Sequence, residues 1–420
     1  MNKIVSLAGI FLFIGIAFAL SSNKKKISWK MVASSLGFQI IFALIVLGTE
    51  PGKAFFLWIN TFVASILSFS QAGAQFVFGS LVSDTKTFGF IFAFQILPTI
   101  IFLSALMQIL YYYGIMQKIV QLMAKLFVKI MGTSGAETLC AAANIFMGQT
   151  EAPLMIKPYL EKLTRSELMA VMTCGFATIA AGIFAAYAGM LTPYIPEAAG
   201  HLLAACLMSC PAALMMAKII IPETEEPETM GQVKLEVEKT DANAIDAAAN
   251  GAFTGLHLAI NVGGMLIAFV ALIALFDKGL GVFGGCINYL FHTNIVLNFE
   301  TVFGTIFWPI AWILGIPAPD CLFAGNILAK HVVINEFVAY SEVSSMLANS
   351  ASGISLRTHI ILIYAICGFA NLSSIAIQIA GIGSLAPSRK KDVAKLGVSA
   401  LIAGLLASYV TACIAGVIIP

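Results

Sequence analysis

Two short polar clusters stand inside otherwise apolar sequence, and their residues are of the kinds that hold a small polar solute and a hard cation. The first is Asn144-Ile145-Phe146-Met147-Gly148-Gln149-Thr150-Glu151-Ala152-Pro153. Gln149 offers a donor and an acceptor to the edge of a heterocycle, Thr150 a hydroxyl, and Glu151 two acceptor oxygens. The second cluster places Asn326, His331, Asn335 and Glu336 among apolar residues. An ionised carboxylate in mid-bilayer costs at least ~3 kcal/mol, so each glutamate must face a partner or a water-filled cavity. In the first cluster Gly148 and Pro153 interrupt the helical pattern. The flanking arms, about a dozen and about ten residues long, cover only about half of a ~30 Å hydrocarbon core. A re-entrant hairpin fits that length better than a spanning helix, and its tip would bring half-helix ends and unwound carbonyls to the midplane.

The elements that must position these clusters lie in a membrane. The chain is 60% hydrophobic and 10% charged, with a mean hydropathy of +0.94, far from the roughly 25% charged residues of soluble domains. The fold class is therefore an all-α polytopic membrane protein. A net charge of +2 points neither to nucleic acid nor to an acidic partner. The eight cysteines show no CxxC spacing and lie mostly in apolar runs, so they read as small buried hydrophobes, with no disulfide or metal site. The five histidines are scattered at loops and span ends and read as structural. The first apolar segment lacks a small-residue cleavage site and reads as a retained span.

Eight spans are expected, at about 5–20, 31–47, 88–112, 167–191, 198–221, 256–276, 358–382 and 396–418. Residues 51–80, with Trp58 and several Phe, suggest a helix lying in the outer interface, and 298–315, with Trp308 and Trp312, suggest a second. Lys118, Lys125 and Lys129 mark an amphipathic helix on the cytoplasmic surface. Lys24-Lys25-Lys26, Lys157, Lys162, Arg165 and Arg389-Lys390-Lys391 fall on one side, which the positive-inside rule makes cytoplasmic, with both termini outside. The long polar stretch, with Glu223, Glu225, Glu226 and Glu228 followed by Lys234 to Lys239, reads as a cytoplasmic connector.

The order span, interfacial helix, polar hairpin, span, span occurs twice, with the two units starting on opposite sides of the membrane. The expected domains are 1–87 (N-terminal spans and outer helix), 88–221 (first repeat, hairpin 134–164), 222–255 (cytoplasmic linker and amphipathic entry) and 256–420 (second repeat, hairpin 317–343). Short matches support the pairing: Ala143-Asn144-Ile145 with Gly325-Asn326-Ile327, Gln149-Thr150-Glu151 with Ile334-Asn335-Glu336, and Gly175-Phe176-Ala177-Thr178 with Gly368-Phe369-Ala370-Asn371. Interrupted apolar segments at corresponding places in inverted halves point to a transporter's binding site.

Gly148-Gln149-Thr150-Glu151-Ala152-Pro153, Lys157-Pro158-Tyr159, Asn335-Glu336-Phe337-Val338-Ala339, Cys367-Gly368-Phe369-Ala370-Asn371-Leu372-Ser373-Ser374-Ile375 and the segment Gly251 to Leu275 together resemble the concentrative nucleoside transporters. The resemblance covers nearly the whole chain. It implies a bacterial eight-span member with two hairpins, a homotrimer in the inner membrane, and an elevator-like transport domain importing nucleosides. Carried over, Gln149 and Thr150 would bind the nucleobase with Glu151 beside them, and Ile183 would give the base an apolar contact. Glu336, Asn371 and Ser374 would bind the ribose, with Phe369 packing nearby. Sodium would be held by Asn144, Thr178 and the carbonyls of Met147 and Ile179.

The chemistry suits these residues apart from the family. Ribose hydroxyls donate and accept, so a carboxylate and an amide pair with them, and sodium calls for oxygen ligands. An isolated Gln or Thr in a span also serves as an ordinary helix-to-helix hydrogen bond. Rival readings are proton coupling through Glu151, a channel, and an intramembrane enzyme. The last lacks any clustered nucleophile or metal-ligand spacing, and no cofactor other than the coupling ion is expected.

Overall fold

The computed structural model describes residues 2–88, 91–231, 241–293, 296–349 and 353–419, which are almost entirely helical, with one isolated bridge between Ser134 and Met230. Among them, eight helical stretches are long and apolar enough to cross a membrane: Asn2–Ala19, Trp29–Gly48, Glu50–Phe78, Phe92–Tyr112, Arg165–Leu191, Ala198–Ile220, Ala244–Phe291 and Pro387–Ile418. The number matches the expectation but the membership differs. Glu50–Phe78, expected to lie flat in the interface, is one 29-residue helix that qualifies as a span by length and composition; an aromatic, amphipathic pattern does not by itself separate lying from crossing. The expected seventh span is two short helices, Leu356–Ala365 and Leu372–Leu385. Between them, Gly368 passes so close to another backbone that a Cβ would sit 2.5 Å from the Phe176 carbonyl oxygen.

The expected sixth span is only the middle of a 48-residue helix, Ala244–Phe291. At ~1.5 Å per residue it is about 72 Å long, more than twice a ~30 Å hydrocarbon core. It begins early because the Asn243 side chain accepts from the backbone N–H groups of Ile245 and Asp246, each at 2.9 Å, a favourable N-cap. Residues 244–255, expected within the linker and amphipathic entry, belong to this helix. Of the connector's charges, Glu223 to Glu228 are described, whereas Lys234 to Lys239 lie outside the described residues.

Burial sorts the spans into two classes. The three N-terminal helices, Phe92–Tyr112 and Ala244–Phe291 are only 11% to 33% buried over their most apolar windows, against 78% to 83% for Arg165–Leu191, Ala198–Ile220 and Pro387–Ile418. The long helix docks on Leu97–Tyr112 through Gly251 and Gly255, where a Cβ would lie 2.6 Å from the Ser104 carbonyl oxygen and 2.7 Å from the Ile101 Cα. This is the small-residue spacing that lets membrane helices approach closely. Ile115–Met131 buries Met116, Val120, Ala124, Phe127 and Met131 along one face and exposes Lys118, Lys125 and Lys129, as an amphipathic surface helix should.

The order long helix, short helix, hairpin, broken helix, helix occurs twice. The first hairpin is an α-helix, Gly135–Ala143, a turn, and a 3-10 arm, Ala152–Lys162, opened by Pro153 and carrying Pro158 inside it. Its base is clamped by Lys218, 2.8 Å from Glu137 and 3.1 Å from Glu223. Thr229 adds a second clamp, its carbonyl and hydroxyl oxygens accepting from the N–H groups of Gly135 (2.9 Å) and Ala136 (3.0 Å). The second hairpin pairs two α-helices, Cys321–Val333 and Glu336–Ala348, and its base is closed by Asp320, which accepts from the Ser355 and Thr358 hydroxyls at 2.8 and 2.6 Å.

Candidate functional site

Each repeat delivers a hairpin tip and a broken helix to one place. In the first repeat Arg165–Ala177 and Ala181–Leu191 are separated by Thr178-Ile179-Ala180, and the Ala181 N–H donates to the Phe146 carbonyl at 3.0 Å, joining this break to the hairpin tip. In the second repeat the break at 366–371 is tied to its hairpin by His331, whose Nε2 lies 2.8 Å from the Gly368 carbonyl oxygen. The two breaks meet where the Phe369 N–H donates to the Thr178 carbonyl at 3.2 Å.

Around this junction a buried polar network links both halves. The Asn371 side-chain oxygen caps Leu372–Leu385 by accepting from the Ser374 N–H at 3.0 Å, which turns its Nδ2 toward Glu336 Oε2 at 3.1 Å. Glu336 Oε1 accepts from the Tyr187 hydroxyl at 3.0 Å. Glu336 is itself placed by Asn335, whose side chain caps the second arm by accepting from the Val338 N–H at 2.9 Å. A carboxylate in a helix's first turn also faces the positive end of the helix dipole. From the first hairpin, Gln149 Nε2 donates to Ser374 Oγ at 3.0 Å, and its Oε1 accepts from Gln378 Nε2 at 3.1 Å.

The other expected site residues divide. Ile183 and Phe369 are buried beside the two breaks. Thr150 and Glu151 are exposed at the hairpin tip. Thr150 lies against Gly381, where a Cβ would be 2.9 Å from the Thr150 methyl group, and Glu151 Oε2 accepts from the Gly148 N–H at 3.3 Å. Glu151 lines a cavity of about 1160 Å³ together with Phe146, Met147, Ala180, Tyr111 and Tyr112, and Lys157 and Lys162 are also part of its lining. The structure thus brings Gln149, Glu336, Asn371 and Ser374 into one network, sets Glu151 on the cavity and leaves Thr150 against Gly381.

Two of the four expected ion ligands, Asn144 and Thr178, have oxygens whose chemistry fits a cation. Asn144 Nδ2 donates to the Cys140 carbonyl at 3.0 Å, leaving its Oδ1 buried and without a hydrogen-bond partner. Thr178 Oγ1 spends its proton on the Cys174 carbonyl at 2.8 Å, so the hydroxyl oxygen can only accept or coordinate. An orphaned buried oxygen costs about 1–3 kcal/mol, and a hard cation would satisfy it.

Tyr187 and Gln378 were not among the expected site residues. Both were within reach of helical spacing: Gln378 follows Asn371 and Ser374 at i+7 and i+4, and Tyr187 follows Ile183 at i+4.

Residues 201–416 match the family model described as Na+ dependent nucleoside transporter C-terminus, residues 8–81 the corresponding N-terminus, and residues 93–194 a nucleoside recognition (Gate) model. The chain belongs to the concentrative nucleoside transporter family. An uncharacterized transporter of Haemophilus influenzae is 42% identical to it over 100% of this chain and 98% of that one. Human solute carrier family 28 member 3 is 38% identical over 99% of this chain and 60% of its own length. Among solved structures, CNTnw in an inward-facing substrate-bound state superposes with a TM-score of 0.92 at 40% identity, covering 100% of this chain and 98% of that one. A doubly substituted CNTnw in an outward-facing state gives 0.92 at 39%, with the same coverage. This member of the concentrative nucleoside transporter family is a multi-pass membrane protein and not an enzyme.

Proposed function

We propose that the protein is a sodium-coupled symporter that imports nucleosides across the bacterial inner membrane. The observation that carries this reading is the network that joins the first hairpin to the broken helix of the second repeat through Gln149 and Ser374, and that helix to the second hairpin through Asn371 and Glu336. In this reading Gln149 and Thr150 meet the base with Glu151 alongside, and Ile183 packs on it. Glu336, Asn371 and Ser374 take the ribose hydroxyls, with Phe369 beside them. Asn144, Thr178 and the carbonyls of Met147 and Ile179 hold one sodium ion. The energetics suffice: entry of one cation down ~100 mV contributes ~2.3 kcal/mol, and a tenfold sodium gradient adds ~1.4 kcal/mol. Their sum, ~3.7 kcal/mol, supports roughly 500-fold accumulation of a neutral nucleoside at one-to-one coupling.

The two burial classes support a division of labour, with the hairpins and the broken and buried spans as the moving unit and the exposed helices as a static scaffold. The broad apolar face of Ala244–Phe291 leaves surface for lipid and for the other two subunits of a homotrimer. With Glu50–Phe78 lying along the interface and not crossing, placing the lysine-rich face inside puts both termini outside. The decisive experiment is uptake into proteoliposomes with an inward sodium gradient. Accumulation of unmodified uridine above the external concentration, abolished when choline replaces sodium, is the expected result. Equilibration without accumulation would instead make the protein a channel, and uptake driven by a pH gradient without sodium would favour proton coupling through Glu151. Cysteine pairs linking the first hairpin to Ala244–Phe291 should trap transport in one state; full activity after verified cross-linking would remove the moving-unit picture.

A further inference from the structure

We infer that Gln378 is a positioning residue that sets the polarity with which Gln149 reads the nucleobase, so that the transporter selects bases by a hydrogen-bond acceptor. The inference rests on the assignment of Gln149 to the base.

An amide side chain can be turned end for end, and only its partners decide which end faces where. The Met172 main-chain carbonyl can only accept. It takes a hydrogen bond from Gln378 Nε2 at 3.0 Å, and the same nitrogen donates its second hydrogen to Gln149 at 3.1 Å. Turning Gln378 round would set two oxygens face to face against Met172. With Gln378 held, the Gln149 atom facing it must be Oε1, and Gln149 Nε2 is directed away toward Ser374, 3.0 Å distant. Polarity therefore passes from a backbone carbonyl through two glutamines to the site. Nε2 carries two hydrogens, and Ser374 takes one. The other is available to a ligand, which must answer with a carbonyl oxygen or an unprotonated ring nitrogen.

The surroundings keep the relay rigid. Gln378 is fully buried and Gln149 nearly so. Both lie against Gly175, where a Cβ would be 2.8 Å from Gln378 Nε2 and 3.0 Å from the Gln149 Cβ, so the two side chains meet only because position 175 has none. Asn371 obeys the same logic across the site: the Ser374 N–H fixes its oxygen, and its nitrogen goes to Glu336. The base side of the site is thus pre-set as a donor and the glutamate side as an acceptor.

The test uses purified full-length transporter and competition against uridine binding. The competitors are 2-thiouridine and 4-thiouridine, in which sulfur, a poor acceptor, replaces one carbonyl oxygen at a time, and 3-methyluridine, which keeps both carbonyl oxygens and loses the ring N–H. The unaltered protein should bind one of the thio analogues about five- to tenfold more weakly than uridine, the size of one neutral hydrogen bond, and should lose no more affinity for 3-methyluridine than Gln149→Met does. Gln378→Met frees the Gln149 amide to turn, and the thio penalty should fall below about twofold. Gln149→Met should abolish the penalty as well, and the double variant should add nothing further. Gln378→Glu keeps the volume; buried there it is protonated, its one hydroxyl donates to the Met172 carbonyl and its other oxygen only accepts, so Gln149 must turn its oxygen outward, and the penalty should then move from the thio analogues to 3-methyluridine, taken relative to Gln149→Met. This variant also carries the test if the methionine protein does not fold.

If Gln378→Met weakens every competitor by the same factor, Gln378 is merely structural and the inference is overturned. Should Gln149→Met remove the thio penalty while Gln378→Met and Gln378→Glu both retain it, the base contact stands and the relay falls. A penalty that survives Gln149→Met would overturn the base assignment and the relay together.

Discussion

The two hairpins follow one plan with different tips, and the difference separates rigid recognition from adaptable recognition. In the second, only Ile334 and Asn335 separate two 13-residue α-helices, and Asn335 caps the arm that begins with Glu336. The carboxylate therefore stands on a regular helix with both oxygens engaged by donors from outside the hairpin. In the first, eight residues, 144–151, turn the chain before a proline-containing 3-10 arm. Such a tip exposes carbonyls and side chains in several directions at once. On the proposed assignment, one tip meets an invariant group of the ligand, the ribose, whereas the other meets an ion and a base that varies among nucleosides.

The sharpest break of this comparison is at Glu336. Both of its partners donate, so Glu336→Gln sets an amide N–H₂ against either the Tyr187 hydroxyl or the Asn371 amide, and truncating a buried pair of this kind costs ~3 kcal/mol. Uridine affinity should fall more than about a hundredfold, and 2′- and 3′-deoxynucleosides should compete poorly with the unaltered protein. Gln149→Met should cost only about tenfold. Calorimetric titrations giving equal losses for the two variants would erase the distinction between the tips.

A smaller effect is expected at the ion. Asn144 and Asn326 occupy matching places in the repeats, and both side-chain oxygens lack hydrogen-bond partners. Their surroundings differ: Asn326 Nδ2 donates to Glu342 at 2.9 Å, and the same carboxylate pairs with the Lys330 ammonium. The Lys330 ammonium already neutralises that carboxylate, so no uncompensated negative charge is left beside Asn326 to hold a metal cation. Asn144→Ala and Thr178→Ala should therefore raise the sodium concentration for half-maximal uptake at least about tenfold, the loss of one ligand oxygen to a charged group. Asn326→Ala should leave it within about twofold. An equal shift from Asn326→Ala would assign a cation to each repeat.

The smallest change probes the cap. Asn335→Ala removes an N-cap worth about 1 kcal/mol, so uridine affinity should drop about fivefold. Asn335→Asp, which can still cap, should recover most of it. Gly148→Ala in the first tip, where a Cβ would find only the Ala180 methyl at 3.7 Å, should change affinity by less than about twofold. If the first tip proved the more sensitive of the two, it would be the rigid one.

Composition and hydrophobic spacing determined the all-helical membrane fold, the two interrupted segments and the repeated order of elements, because these properties are local: a run of apolar side chains, a glycine or a proline acts over one or two helical turns. Gln149 and Glu336 were legible for the same reason, as polar groups where burial makes polarity expensive, whereas Asn371 and Ser374 were reached only through the family resemblance. Tertiary packing decided the rest. Only close approach of two backbones at Gly368 and Phe176 reveals that the seventh span is broken in two, and only the cap at Asn243 reveals how early the long helix starts. Tyr187 and Gln378 are unremarkable inside their own helices. They acquire roles because elements distant in sequence bring Glu336 to one and Gln149 to the other, and a hydrogen bond reads distance in space, which one chain's local pattern does not encode.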